Sequence, residues 1–348
     1  MANPNALFGT ITELTTDLER GTFISLSDGR DARFEPNDRR VSVLEDLRRR
    51  KRLVYLDADD SGVIRNVLLP KVVQVDKIIE RGGEISVTFV NSQARAVVKP
   101  GSDELRKLRE AGKEGWLAVT IDDRFEVIDV RPVEAQFELP TFEPPPRLRW
   151  WHWCWWPWRW WSCWRRCVSA ERAQELFDLC AATTCDPLTV PPPCIPFLYP
   201  DDGCWARAHA MCRIMIDAGA TPRKIWIDGA LVTPTVNNPN CVVYWGWHVA
   251  PTLCVSRSRW WFGHQEQVLD PSLFTTPVSP ETWKSVQGDP DATLSASSYI
   301  LFARAPGDYL DPTYAKTNAA LADYRAALQL RSLGPDGPPP YANCQEAT

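Results

Sequence analysis

A cysteine stands where a helix is due to begin. Between Tyr199 and Met211 the run Pro200-Asp201-Asp202-Gly203 supplies turn and N-cap residues, and from Trp205 to Ala218 apolar side chains recur at helical spacing. Cys204 therefore falls at or near the first turn, where unpaired backbone N–H groups and the positive end of the helix dipole favour a thiolate over a thiol. Such a nucleophile needs a base, and the base needs a group that holds its tautomer. Histidine is scarce, with four in 348 residues. His248 lies in the strand-like Tyr244 to Ala250, whose alternation can aim the imidazole at the helix mouth, and Asp270 follows at a strand end in Val268 to Phe274. Cys, His and Asp in that order suit a papain- or transglutaminase-like site, with the nucleophile on a helix and its partners on adjacent strands.

The other histidines have plainer readings. His209, five residues past Cys204, points to another side of the same helix and is expected to pack or hydrogen-bond there. His264 belongs to a hairpin-like stretch from Trp260 to Gln267, as a solvated residue, and His152 belongs to a tryptophan run. With no Cys-x-x-Cys pair and no paired histidines, neither a metal nor a cofactor is expected.

These residues need elements to hold them, and 348 residues suffice for two domains with full cores. A net charge of −5 gives no reason to expect nucleic acid as the main partner. All eleven cysteines lie between Cys154 and Cys344, so up to five disulfides could form and leave Cys204 free; reduced buried thiols are the other reading. The first residues, Met1 to Phe8, have neither a basic n-region nor an apolar h-region. Delivery as an effector or export by a non-Sec route is set against a cytoplasmic home, and no apolar run is long enough to span a membrane.

Residues 6–134 carry an internal repeat. Phe23 to Leu26 leads through Phe34-Glu35-Pro36 to the helical Val43 to Arg48, the strand-like Leu53 to Leu56, and Val67 to Pro70. Sixty-four residues later Val87 to Val90 leads through Val98-Lys99-Pro100 to Asp103 to Leu108, Trp116 to Val119, and Val127 to Pro132. Each copy reads as short strands with one short helix, predicting two small β-barrel-like modules of SH3 or OB character, at 1–72 and 73–139. The modules are expected to bind a protein partner or the catalytic domain. The basic run Arg48 to Arg52, at a helix end, reads as a solvated cluster that offsets the helix dipole rather than as a nucleic-acid site.

Residues 140–191 form a Pro- and Trp-rich linker or pro-segment. From Trp150 to Trp164 nine of fifteen residues are tryptophan, interleaved with His152, Arg159 and two cysteines. Indole with guanidinium suits a membrane surface; the competing reading is burial against the enzyme domain, since something must cover so apolar a run. Residues 168–181 read as an amphipathic helix with Ser169 as N-cap. A catalytic domain of α+β pattern, helix first and antiparallel strands after, is expected over 192–333, with strands at Lys224 to Ile227, Cys241 to Ala250, Trp260 to Leu269 and Ser298 to Ala303. A helix from Thr313 to Leu333 closes it, and 334–348 reads as a disordered, proline-rich tail.

From Ile195 to Leu333 the sequence closely resembles bacterial protein-glutaminase, the protein-glutamine deamidase family. The resemblance rests on Ile195-Pro196-Phe197, Tyr199 to Cys204, Ala206-Arg207-Ala208-His209, Cys241-Val242, Trp245, His248-Val249-Ala250, and Val268-Leu269-Asp270-Pro271-Ser272-Leu273-Phe274. It implies Cys204 as the nucleophile, His248 as base and acid, and Asp270 as the group that orients His248. By the same resemblance, the thiolate attacks a glutamine carboxamide in a protein or peptide, and backbone N–H groups including that of Cys204 hold the oxyanion. Ammonia then leaves and water hydrolyses the thioester to glutamate. A pro-region occludes the site in that family's precursor, and the region before Ile195 is expected to do so here, the tryptophan run filling the cleft. Acyl transfer of the transglutaminase kind, proteolysis by the same triad, and a membrane-active toxin acting through Trp150–Trp164 stand as alternatives.

Overall fold

In a computed structural model the described residues are 5–133, 167–189, 193–256, 263–304 and 309–344. The chain opens with β1 (Leu7–Asp17), β2 (Gly21–Leu26), β3 (Asp31–Phe34), α1 (Val41–Arg49), β4 (Leu53–Ala58) and β5 (Ile64–Leu68), an antiparallel sheet in the order β3-β2-β1-β4-β5. Next come β6 (Lys71–Arg81), β7 (Glu84–Phe89), β8 (Ser92–Val98), α2 (Asp103–Ala111), β9 (Trp116–Ile121) and β10 (Val127–Pro132), in the order β8-β7-β6-β9-β10. The two orders are identical once each strand is matched to its counterpart. In both copies an isolated parallel bridge links the end strands, Arg33 with Val63 and Val97 with Glu126. The sequence repeat is therefore a repeat of topology.

Alternating apolar residues explain the cores of both copies. Ile24, Leu26, Phe34, Val54 and Leu56 meet Leu44 and Leu47 of α1 in the first, and Val87, Phe89, Val98 and Val119 meet Leu105 and Leu108 of α2 in the second. Helix α2 starts at Ser102, whose hydroxyl accepts from the Leu105 N–H.

The remainder contains α3 (Ala170–Ala181), α4 (Cys204–Asp217), β11 (Arg223–Pro234), β12 (Val242–Ser256), β13 (His264–Val268), α5 (Pro280–Ser285), β14 (Thr293–Ser298), β15 (Leu301–Ala303), β16 (Tyr309–Leu310) and α6 (Ala315–Ser332). Strands β12, β11 and β14 run antiparallel, with β13 on the far edge of β12. Ser169 caps α3 by accepting from the Arg172 N–H, as its sequence predicts. The molecule is thus mixed α and β, its sheets mostly antiparallel.

The N-terminal half is bound into this part. Ala94 of β8 pairs with Trp245 of β12, so the second module and strands β11 to β14 share one nine-stranded sheet. Ala326 and Leu330 of α6 complete the core of the first module. The basic run after α1 is not merely solvated, because Arg50 and Arg52 both pair with Asp323 of α6.

Three expectations change. The boundary at 192 cuts through a packed unit: Ala173, Leu176, Phe177 and Cys180 of α3 share a core with Phe197, Met211, Met215, Leu253 and Leu269. The strand over Ser298 to Ala303 breaks into β14 and β15, which lie in different sheets. The tail is anchored as far as Cys344, which is disulfide-bonded to Cys241, while the Tyr341 N–H donates to Val236 O. Proline richness had masked these two anchors. Cys167–Cys254 and Cys185–Cys194 are also bonded, and Cys180, Cys204 and Cys212 are free thiols among the described residues. The linker around Pro144 and the run Trp150–Trp164 lie outside the described residues. Among those described, no helix is long and apolar enough to cross a membrane, and no group of three His, Cys, Asp or Glu side chains could hold a metal ion.

Candidate active site

Cys204 is the first residue of α4, and Gly203 before it is the N-cap, at φ 86°. A side chain is excluded there twice over: the left-handed backbone favours glycine, and a Cβ would come within 2.4 Å of the Tyr324 ring. His248 lies on β12 opposite Ile227 of β11, and Asp270 lies two residues beyond β13, which pairs with β12. The three elements converge on one small cavity of about 10 Å³, lined by Cys204, Arg207, His248, Val249, Asp270 and Ser272 among others. The structure thus brings together the three residues singled out in the sequence.

His248 Nε2–H donates to Asp270 Oδ2 at 2.8 Å, and the same oxygen receives the Trp283 Nε1–H at 2.9 Å. The other carboxylate oxygen accepts from the Ser272 N–H. The imidazole is sandwiched between indoles, Trp245 at 4.4 Å and Trp283 at 5.4 Å, which fixes its plane. Its Nδ1 is buried and has no hydrogen-bond partner among the described residues. That is the nitrogen left free to exchange a proton with a reacting group.

Burial acts first on every charge here. It would raise the Asp270 carboxyl, but the His248 ring, the Trp283 indole and Arg207 together hold it below its ordinary value. Burial lowers His248, against the pull of Asp270. Cys204, only 1% exposed, is pushed up by burial, with Arg207 opposing, so the thiolate expected at a helix mouth is not favoured in this closed arrangement.

The closure comes from the second module. Gln93 of β8 is fully buried, and its Oε1 accepts from the Cys204 N–H at 2.8 Å. Its Nε2–H donates to Pro200 O at 3.2 Å, and its backbone N–H donates to Asp202 Oδ1 at 3.0 Å. Lys71 Nζ and the Ser92 hydroxyl both donate to Asp202 Oδ2. Below this turn Arg207 Nη1 donates to the carbonyls of Tyr199 and Asp202, while Arg331 of α6 pairs with both Asp201 and Asp123. Beside the mouth lies a larger cavity of about 820 Å³, walled by Trp205, Trp226, Trp247 and Tyr324 and reaching Asp202 and Ser92.

Of the other histidines, His264 is exposed at the start of β13. His209 is buried, with Lys224 Nζ donating to its Nδ1 at 3.1 Å, and it takes no part in the cavity. Gln93, Lys71 and Trp283 were not singled out in the sequence, and Arg207 entered only as part of a matching block, with no role given. Gln93 lies 111 positions before Cys204, and no local pattern links them.

Residues 173–287 match the model of a family described as glutaminase. No curated protein matches the chain. Among solved structures, pro-protein-glutaminase is similar at 22% identity and a TM-score of 0.54, over 79% of this chain and 99% of that one. A mutant of pro-protein-glutaminase is similar at 23% and 0.53, over the same shares. At such identity the likeness is one of fold, and it extends well beyond the matched segment into the N-terminal half.

Proposed function

We propose that this protein hydrolyses the side-chain carboxamide of glutamine in proteins or peptides, through a thioester on Cys204. The observation that carries the reading is the convergence of Cys204, His248 and Asp270 on one cavity at the start of α4, with Nδ1 of His248 unpartnered. Cys204 Sγ attacks the carboxamide carbon while His248 Nδ1 takes the thiol proton. The oxyanion forms against the Cys204 N–H, ammonia leaves with the proton from His248, and a water activated by His248 restores the thiol. Asp270 keeps the ring in the productive tautomer throughout. The papain-like placing of nucleophile on a helix and partners on strands is part of the same reading, as is the barrel-like character of the two modules.

The N-terminal half is read as a covering regulator, supported by β8 on β12 and by Gln93 on the Cys204 N–H. Ammonia release from casein and from free glutamine, by wild type and Cys204→Ala, tests the chemistry. The expected result is release from casein alone, dependent on Cys204, without cross-linked ladders or new N-termini. Ladders would indicate acyl transfer, and new termini proteolysis. A chain beginning at Cys167, which keeps α3 and the Cys167–Cys254 bond, should be the more active toward casein. Equal activity of the two would refute the covering role.

A further inference from the structure

The side chain that meets the Cys204 N–H is itself a glutamine, the residue type proposed above as substrate. Its carbonyl oxygen lies 2.8 Å from the Cys204 N–H, within the range expected between a donor and a developing oxyanion. Its amide nitrogen is held by Pro200 O, and the chain leading into it is fixed on Asp202 by the N–H of Gln93 itself and by the Ser92 hydroxyl. Its three hydrogen bonds, from the backbone N–H, the Nε2–H and to Oε1, all reach residues 200–204. A small cavity of about 10 Å³ remains beside Cys204 and His248, roughly the space one water needs.

We infer that Gln93 is a modification site and the first substrate of this protein's own Cys204, converted to glutamate within the same chain. This rests on the deamidase reading above. In the step, Cys204 Sγ bonds to the Gln93 carboxamide carbon and the thiol proton passes to His248 Nδ1. The C–Nε2 bond breaks and ammonia departs with that proton. Water then attacks the thioester carbon, His248 takes the water's proton, and the C–S bond breaks to return the thiol. The sum is glutamine plus water giving glutamate plus ammonia, with no oxidant or further reactant. Each chain carries one Gln93, so the reaction occurs once per chain.

The test follows purified full-length protein over time by peptide mass spectrometry, beside Cys204→Ala. Tryptic cleavage after Arg81 and Arg95 isolates the peptide Gly82–Arg95, in which fragment ions separate Gln93 from Asn91. Glutamate at 93 should accumulate at least about tenfold faster in wild type than in Cys204→Ala. Full-length Gln93→Ala, assayed for ammonia from added casein, reports on the general chemistry. If position 93 stays glutamine while that variant deamidates casein, the inference falls and the deamidase reading stands. If position 93 stays glutamine and the chain beginning at Cys167 also leaves casein untouched, both fall. Equal conversion in Cys204→Ala would be spontaneous hydrolysis and would also overturn the inference.

Discussion

At the scale of single residues, Asp270 is the hub, because one of its oxygens serves both His248 and Trp283. Trp283→Phe keeps a ring against the imidazole but removes the N–H donor. A hydrogen bond to a charged group is worth roughly 1.5–3 kcal/mol, so kcat toward a glutamine-bearing protein should fall by about tenfold or more with little change in KM. An unchanged kcat would show that Asp270 is held without the indole. A second prediction concerns His209, whose burial beside Lys224 pushes its pKa from 6.5 down to about 4. Unfolded chains therefore bind more protons between those values, and stability present above pH 6.5 is lost as pH falls toward 4. His248, also lowered, contributes in the same direction. His209→Gln should flatten the fall of Tm over that window, measured by thermal unfolding at each pH, whereas an unaltered slope would place the acid sensitivity elsewhere.

Among the elements, the entry to α4 decides the site, because Gly203 combines a left-handed backbone with the Tyr324 ring where a Cβ would stand. Gly203→Ala must strain one or move the other, at a cost of about 1–3 kcal/mol. Its Tm should drop well below that of Cys204→Ala, and activity should be lost with it; a Tm equal to wild type would mean that the mouth relaxes freely. This entry was legible in the sequence because the signals are local: turn residues, a nucleophile and helical spacing all lie between Pro200 and Ala218. His248 and Asp270 were legible for a similar reason, each sitting in a short strand-like block. Trp283 was not, since α5 is only six residues long and shows no helical period. Gln93 was invisible for a different cause. Its meaning comes from β8 meeting β12, a pairing between distant segments that strand patterning does not encode. The repeat emerged from the first 134 residues, yet the closing of the first module by Ala326 and Leu330 of α6 could not be read there.

Over the whole molecule, the N-terminal half touches the mouth of α4 through a few concentrated contacts, and under the covering role proposed above these set how firmly the chain stays closed. Asp202 is the centre, fully buried and receiving Lys71 Nζ from β6, the Ser92 hydroxyl and the Gln93 N–H from β8. Lys71 is the only charged member of that set from the N-terminal half, and it lines the larger cavity rather than the small one holding Cys204 and His248. Removing it leaves the Asp202 carboxylate with hydrogen bonds but without its ion pair, a penalty felt in the closed state and, under the covering role, relieved when β8 withdraws and water reaches the carboxylate. Each 1.4 kcal/mol of that difference raises the open population about tenfold. Full-length Lys71→Met should therefore deamidate casein faster than the wild-type chain, by roughly tenfold. A chain already lacking residues before Cys167 has no Lys71 and sets the upper limit of the gain. The discriminating result pairs activity with Tm: faster turnover with a modest fall in Tm indicates a loosened closure, while a fall in Tm without faster turnover would show that this ion pair stabilises the fold and does not govern access to Cys204.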